Sequence, residues 1–218
     1  MLISCWSAKG GVGTTVVAAS LALLLAARDP AGAVLADLAG DVPAVLGLAD
    51  VESAGLAGWL AAGESVPADA LVRLEVPAAA GLSVLPRGGG RLDGDRAGVL
   101  ATMLAQGTRP VVVDCGTVSG RGAAGEVVAL AAASSLLVTR PCFVALQRLL
   151  SITPRPTGVV VVREPGRVLG RSDVERVVGA PVVAELETDP VVARAVDAGL
   201  LNVTRLPRTL AKGLRDAA

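Results

Sequence analysis

The sequence predicts an α/β fold: a doubly wound, mostly parallel sheet of about seven strands with helices on both faces. Three observations carry that expectation. The strand-like segments are continuous Val/Leu/Ala runs, not alternating ones, as in strands buried on both faces. They alternate along the chain with Ala/Leu-rich, helix-favouring segments. Hydrophobic residues make up 52% of the 218 residues, which is enough for a sizeable core and unlike a disordered chain. No internal repeat or long linker interrupts the pattern, so residues 1–218 read as one domain.

The apolar run 1–6 reads as a buried strand, and Val16 to Ala27 as a helix closed by the breakers Arg28-Asp29-Pro30-Ala31-Gly32. Ala33 to Leu38 is the second strand. Asp41 to Leu48 and Ser53 to Ala62 are short helical candidates, and Ser65-Val66-Pro67 starts a helix over Ala68 to Leu74. Gly81 to Pro86 is a strand ending at Arg87-Gly88-Gly89-Gly90, and Leu92 to Gln106 a helix. Pro110 to Asp114 is an apolar strand ending in an acid. Helix Gly125 to Ala133, strand Ser134 to Thr139, helix Phe143 to Ile152 and strand Gly158 to Val162 follow. Ser172 begins a helix through Val178, with Glu175 at capping-box spacing. Pro181 to Leu186 is the last strand. Asp189 caps and Pro190 opens the helix Val191 to Ala198, and Leu206 to Ala217 is a final helix.

Composition removes several chemistries. Histidine is absent, which excludes His-based triads and Cys/His metal sites. Cys5, Cys115 and Cys142 form no C-x-x-C pair and read as free thiols in a reducing cytosol. The formal net charge of +0 argues against a large basic nucleic-acid face. Leu2-Ile3-Ser4-Cys5 has the look of a lipoprotein cleavage box, but no charged and apolar region precedes it, so no secretory leader is expected. Val16 to Ala27 is shorter than the about 20 residues a bilayer span needs. A cytoplasmic protein is expected.

The chemistry concentrates in Ser7-Ala8-Lys9-Gly10-Gly11-Val12-Gly13-Thr14-Thr15, between the first strand and the first helix. A strand, a glycine loop and a helix start together make a phosphate cradle. Glycines let the backbone N–H groups converge, and the helix N-terminus adds a positive dipole end. Against the pattern G-x-x-x-x-G-K-[ST], Ala8 replaces the first Gly and Thr14 the Lys. Thr15 keeps the hydroxyl that would coordinate Mg²⁺. Lys9 stands at the front, and with Lys212 it is one of only two lysines in the chain. Val111-Val112-Val113-Asp114-Cys115-Gly116 has the form of a Walker B segment, an acid after an apolar strand that can hold Mg²⁺ with Thr15. Lys9, Asp37 and Asp114 all fall at the C-terminal ends of strands, where ligands bind in such sheets.

The run Lys-Gly-Gly-x-Gly-x-[ST] resembles the deviant Walker motif of ParA/MinD-family ATPases. The resemblance implies a P-loop NTPase fold, ATP and Mg as ligands, and a homodimer in which Lys9 reaches the partner subunit's nucleotide. It extends through Gly81 to Pro86, Ser135 to Pro141 and Asp173 to Gly199. It implies catalytic roles for Lys9 and Asp37, and nucleotide contacts from Lys9, Gly10, Gly11, Val12, Gly13, Thr14, Thr15, Arg163, Asp189 and Pro190. Thr15 and Asp114 would hold Mg. The chain also departs from the family. The D-x-D expected at Asp37 has Ala39 as its second position, and Asp41, two residues on, reads as a turn acid. Val162-Arg163 stands where Asn-Arg would read adenine.

These departures imply weak or absent ATP and Mg binding and little or no hydrolysis. Among ParA/MinD relatives they are most similar to the TadZ/CpaE branch, which helps place Tad-type pilus secretion machines. No receiver-like domain is expected ahead of the first strand, unlike many members of that branch. The expected partners are a second copy and proteins of a pilus or positioning system, with a location in the cytoplasm, at the membrane periphery or at a cell pole. The rival readings are a nucleotide-independent dimerising scaffold and a chromosome or plasmid partitioning ATPase. Leu206, Leu210 and Leu214, with Arg205, Arg208, Lys212 and Arg215 around them, suit a packed or solvated terminal helix better than the membrane-surface helix that MinD uses.

Overall fold

The computed structural model describes residues 1–49, 55–63, 66–67, 69–92, 94–152, 154–201, 206–215 and 217. Among these residues eight strands form one sheet. They are β1 (Leu2–Ser7), β2 (Ala33–Asp37), β3 (Val76–Ala79), β4 (Leu82–Leu85), β5 (Val111–Thr117), β6 (Ser134–Thr139), β7 (Gly158–Arg163) and β8 (Val182–Glu187). Their spatial order is β3-β4-β2-β5-β1-β6-β7-β8. Every neighbouring pair is parallel except β3 against β4.

The helices are α1 (Thr14–Arg28), α2 (Val42–Leu46), α3 (Leu56–Ala61), α4 (Ala70–Arg73), α5 (Ala97–Gln106), α6 (Ala124–Ala131), α7 (Phe143–Leu149), α8 (Arg171–Val178), α9 (Pro190–Asp197) and α10 (Arg208–Gly213). They cover both faces of the sheet, so successive strand residues enter two separate cores. Val111 and Val113 pack with Leu100 of α5, Val128 of α6 and Val174 of α8. Val112 packs with Leu21 of α1, Val45 of α2 and Leu210 of α10. Burial on both faces explains why the strands read as unbroken apolar runs.

The eighth strand is the antiparallel edge strand β3, which the sequence pattern does not mark. Pro77 cannot donate to a ladder and alanine favours strands poorly, so only an edge position tolerates this segment. The helix starts expected at Ser53, Ser65 and Ala68 lie outside the described residues; the helical parts that are described begin at Leu56 and Ala70. Glu175 is not the capping acid. The helix begins at Arg171, so Asp173 takes the Gly170 N–H at 3.0 Å, and Glu175 Oε1 instead accepts from Val182 N at 2.8 Å. Asp189 does cap α9, accepting from Val191 N at 2.8 Å. Leu210 and Leu214 are 4% and 0% exposed, so the last helix spends its apolar face in the core that α1 also fills. No helix among the described residues is long and apolar enough to cross a membrane.

Candidate functional site

β1, β2 and β5 are adjacent and parallel, so their C-terminal ends bring three distant segments to one edge. Ser7 ends β1 and pairs in register with Thr117, while Val118 N donates to Ser7 O at 2.8 Å. From there the chain turns through Gly11 (φ 75°) and Gly13 (φ 96°) before α1 begins. Those left-handed conformations favour glycine and aim successive N–H groups inward. No side chain caps α1, so its first N–H groups remain available to a ligand, with the dipole of a 15-residue helix behind them.

Asp37 and Asp114 are in-register neighbours on β2 and β5, and both are fully buried. Asp37 is tied into its own turn: Oδ1 accepts from Ala39 N at 2.9 Å and Gly40 N at 2.6 Å, and Oδ2 from Val42 N at 3.2 Å. Burial pushes its carboxyl above the usual range against the pull of those three N–H groups, and Asp41 adds to the rise. Asp114 is less satisfied. Oδ1 accepts from Gly116 N at 3.0 Å, while the buried Oδ2 has no partner. Burial raises the Asp114 carboxyl to about 6; the Thr15 hydroxyl opposes the shift and the Asp37 charge adds to it. Burial likewise pushes the Cys5 and Cys115 thiols up, with Asp114 contributing, so neither is a ready nucleophile.

A cavity of about 860 Å³ opens over these strand ends. Gly10, Gly11, Gly13, Thr14 and Thr15 line one side, and Leu38, Ala39 and Asp41 from the Asp37 turn line another. Cys115 to Val118 form the floor, and Ala123 to Glu126 and Val196-Asp197 close it. An orphaned buried carboxylate oxygen beside a threonine hydroxyl is a donor set that suits a hard divalent cation, and the glycine turn suits a phosphate chain. The residues present therefore fit Mg²⁺ at Thr15 and Asp114 and a polyphosphate on the loop.

The structure brings Gly10, Gly11, Gly13, Thr14, Thr15 and, beneath them, Asp37 and Asp114 together. Val12 points into the core at 2% exposed, and Lys9 is half-buried and does not line its own cavity. Arg163, Asp189 and Pro190 also lie outside the lining. Arg163 bonds Glu185 at 2.7 Å, and Asp189 accepts from Thr209 as well as capping α9. Three charged lining residues, Arg87, Glu126 and Asp197, were not marked by motif reasoning. Arg87 alone had a usable signal, since it follows the end of a strand at the same sheet edge. Glu126 is 6% exposed and accepts from Gly122 N at 2.9 Å, which no sequence spacing announces.

No protein-family model and no curated protein sequence matches the chain. Its fold is that of ParA/MinD-type P-loop ATPases. The chain is similar to a ParA family ATPase from Chlorobium tepidum, with a TM-score of 0.79 and 20% identity over 97% of this chain and 96% of the other. It is similar to the septum site-determining protein MinD of Pyrococcus horikoshii complexed with Mg-ADP, with a TM-score of 0.77 and 21% identity over 97% and 91%. It is also similar to a chain of the MinC:MinD cell division protein complex of Aquifex aeolicus, with a TM-score of 0.75 and 20% identity over 98% and 93%.

Proposed function

We propose that this protein is a ParA-like positioning or assembly factor that binds Mg-ATP at the cavity over β1, β2 and β5 and hydrolyses it slowly or not at all. One observation carries the reading: the buried Asp114 carboxyl, whose Oδ2 has no partner, interacts with the Thr15 hydroxyl at the start of α1. A buried carboxylate oxygen without a donor costs stability, and a cation held there would relieve that cost. The magnesium ion, when bound, neutralises charge on the terminal phosphates. The chain's own groups divide the remaining work. The glycine-loop amides and the α1 N-terminus hold phosphate oxygens, and the Asp37 turn shapes the wall where an attacking water would lie.

That wall lacks its acid. Ala39 faces the cavity where the resembling family carries a second aspartate, and Thr14 occupies the Walker lysine position. Losing a phosphate clamp and a water-orienting acid costs orders of magnitude in rate. The erosion supports the TadZ/CpaE-like reading, a factor that localises a Tad-type pilus or secretion machine by dimerising and binding its proteins. Pilus secretion ATPase and prepilin genes beside its own gene would support that reading, while a centromere-binding partner there would redirect it to partitioning. Lys9 stands at the loop front, outside the lining of its own cavity, which supports a role on a second copy's nucleotide.

The test is calorimetric titration with ATP and Mg²⁺, together with phosphate release, on the wild type, Thr14→Lys, Ala39→Asp and the double variant. Thr14→Lys tightens ATP binding while hydrolysis stays slow, and the double variant turns over faster than either single. Brisk hydrolysis by the wild type overturns the eroded-site reading. A double variant that binds no ATP favours the nucleotide-independent scaffold, which the acid-rich lining of Asp41, Glu126 and Asp197 also supports.

A further inference from the structure

The cavity poses an electrostatic problem. Asp41, Glu126 and Asp197 line it, Asp37 and Asp114 lie beneath it, and a polyphosphate would add several more negative charges. The position that ordinarily answers this holds Thr14, which is uncharged and 7% exposed. Lys9 does not line the cavity of its own chain. Among the described lining residues the one cation is Arg87.

Arg87 is built in, not draped over the surface. Its carbonyl accepts from Ala57 N at 2.8 Å, and the preceding Pro86 carbonyl accepts from Leu56 N at 2.9 Å, so the start of α3 holds the backbone. Gly55 packs so closely that a Cβ there would lie 2.5 Å from Gly88 N and 2.6 Å from the Arg87 carbonyl carbon. The side-chain stem crosses the Asp37 turn, where a Cβ on Gly40 would lie 3.1 Å from Arg87 Cδ. The guanidinium then clips the carbonyls of its own glycine loop, Gly88 at 3.3 Å and Gly90 at 3.1 Å. Two bonds to neutral carbonyls leave the other N–H donors of the fork unused. Among the described residues no carboxylate pairs with it, although the chain's other arginine clusters are laced with ion pairs such as Arg163–Glu185 and Arg167–Glu164. A pinned, half-buried, unpaired guanidinium on a cavity wall is a preorganised anion donor.

We infer that Arg87, delivered from the end of β4, is the phosphate-binding cation of this site and does the charge-balancing work that Thr14 cannot. The assignment rests on the proposal that the cavity takes a nucleotide, and it identifies which part of the nucleotide this wall recognises. Arg87 acts on the phosphates, so its contribution grows with phosphate number. It supplies nothing to adenosine, which carries no charge.

The experiment measures binding of adenosine, ADP and ATP, each with Mg²⁺, to the wild type, Arg87→Ala, Arg87→Gln and Arg87→Lys, with melting temperatures recorded for all four. The expected result is a tenfold to hundredfold loss of ATP affinity in Arg87→Ala and Arg87→Gln, on the order expected for a charge-assisted contact. ADP loses less, adenosine is unchanged, and Arg87→Lys recovers part of the ATP affinity. If Arg87→Ala fails to fold, Arg87→Gln, which keeps hydrogen-bonding capacity without charge, carries the comparison. Equal losses for adenosine and ATP, or a fall in melting temperature with no loss of ATP affinity, overturn the inference and leave Arg87 as a clamp on its own loop. Wild-type protein that binds none of the three overturns the nucleotide reading itself, and the inference with it.

Discussion

Replacing Asp114 by Asn should stabilise the metal-free protein at neutral pH, and the size of the effect follows from the site. The folded protein raises this carboxyl from an ordinary 3.8 to about 6, chiefly by burial, which outweighs the Thr15 hydroxyl and the Gly116 N–H. The folded state therefore binds this proton more tightly than the unfolded chain does. Well below pH 4 both states are protonated and nothing is lost. As pH rises the unfolded chain ionises first, and the cost accumulates until the folded group has ionised too, just above pH 6. The gap corresponds to about 3 kcal/mol at pH 7.5, with each pKa unit worth about 1.4 kcal/mol. Asparagine removes this term but leaves its own amide unpartnered, a roughly constant penalty of about 1–3 kcal/mol. The pH dependence of the difference between the two proteins is thus cleaner than its value at one pH. Urea unfolding in chelator, from pH 3.5 to 7.5, should show the variant gaining about 2–3 kcal/mol on the wild type across that window. A difference that stays flat across the window would falsify the picture of an uncompensated buried carboxylate. The same substitution should remove the Mg²⁺ dependence of nucleotide binding, because an amide is a poorer ligand for a hard cation.

Two other substitutions separate roles that resemblance alone assigns. Lys9→Ala should reduce ATP affinity about tenfold to hundredfold and abolish an ATP-dependent dimer, read by calorimetry and light scattering; equal binding and an unchanged dimer would remove Lys9 from the site. Leu214→Ala should cost about 2–5 kcal/mol in chemical denaturation, as expected for a 0% exposed core leucine, whereas a helix lying on a membrane surface would leave solution stability untouched.

Much of the architecture was legible because it depends on short-range chemistry. The Val/Leu runs, the Asp189-Pro190 helix start and the glycines between β1 and α1 each express a local constraint, and each occurs where that constraint predicts it. β3 was not legible, since Val76-Pro77-Ala78-Ala79 has no strand pattern of its own and is a strand only because β4 offers an open edge. The capping acid of α8 was misassigned because a two-residue change in the helix start moves the N3 position from Glu175 to Asp173.

The candidate site divides along the same line. By itself the sequence determined a glycine loop of phosphate-binding form between a strand and a helix, a strand-ending acid, and Thr14 where the G-x-x-x-x-G-K-[ST] pattern has Lys, because those are statements about neighbouring residues. Only the tertiary structure decided that Asp37 and Asp114 are buried side by side, that Asp114 Oδ2 is left without a donor, and that Arg87 stands on the same cavity wall. Those facts depend on which strands neighbour one another. The order β4-β2-β5-β1 joins segments more than a hundred residues apart, such as Leu2 beside Val111, and no local propensity encodes that order.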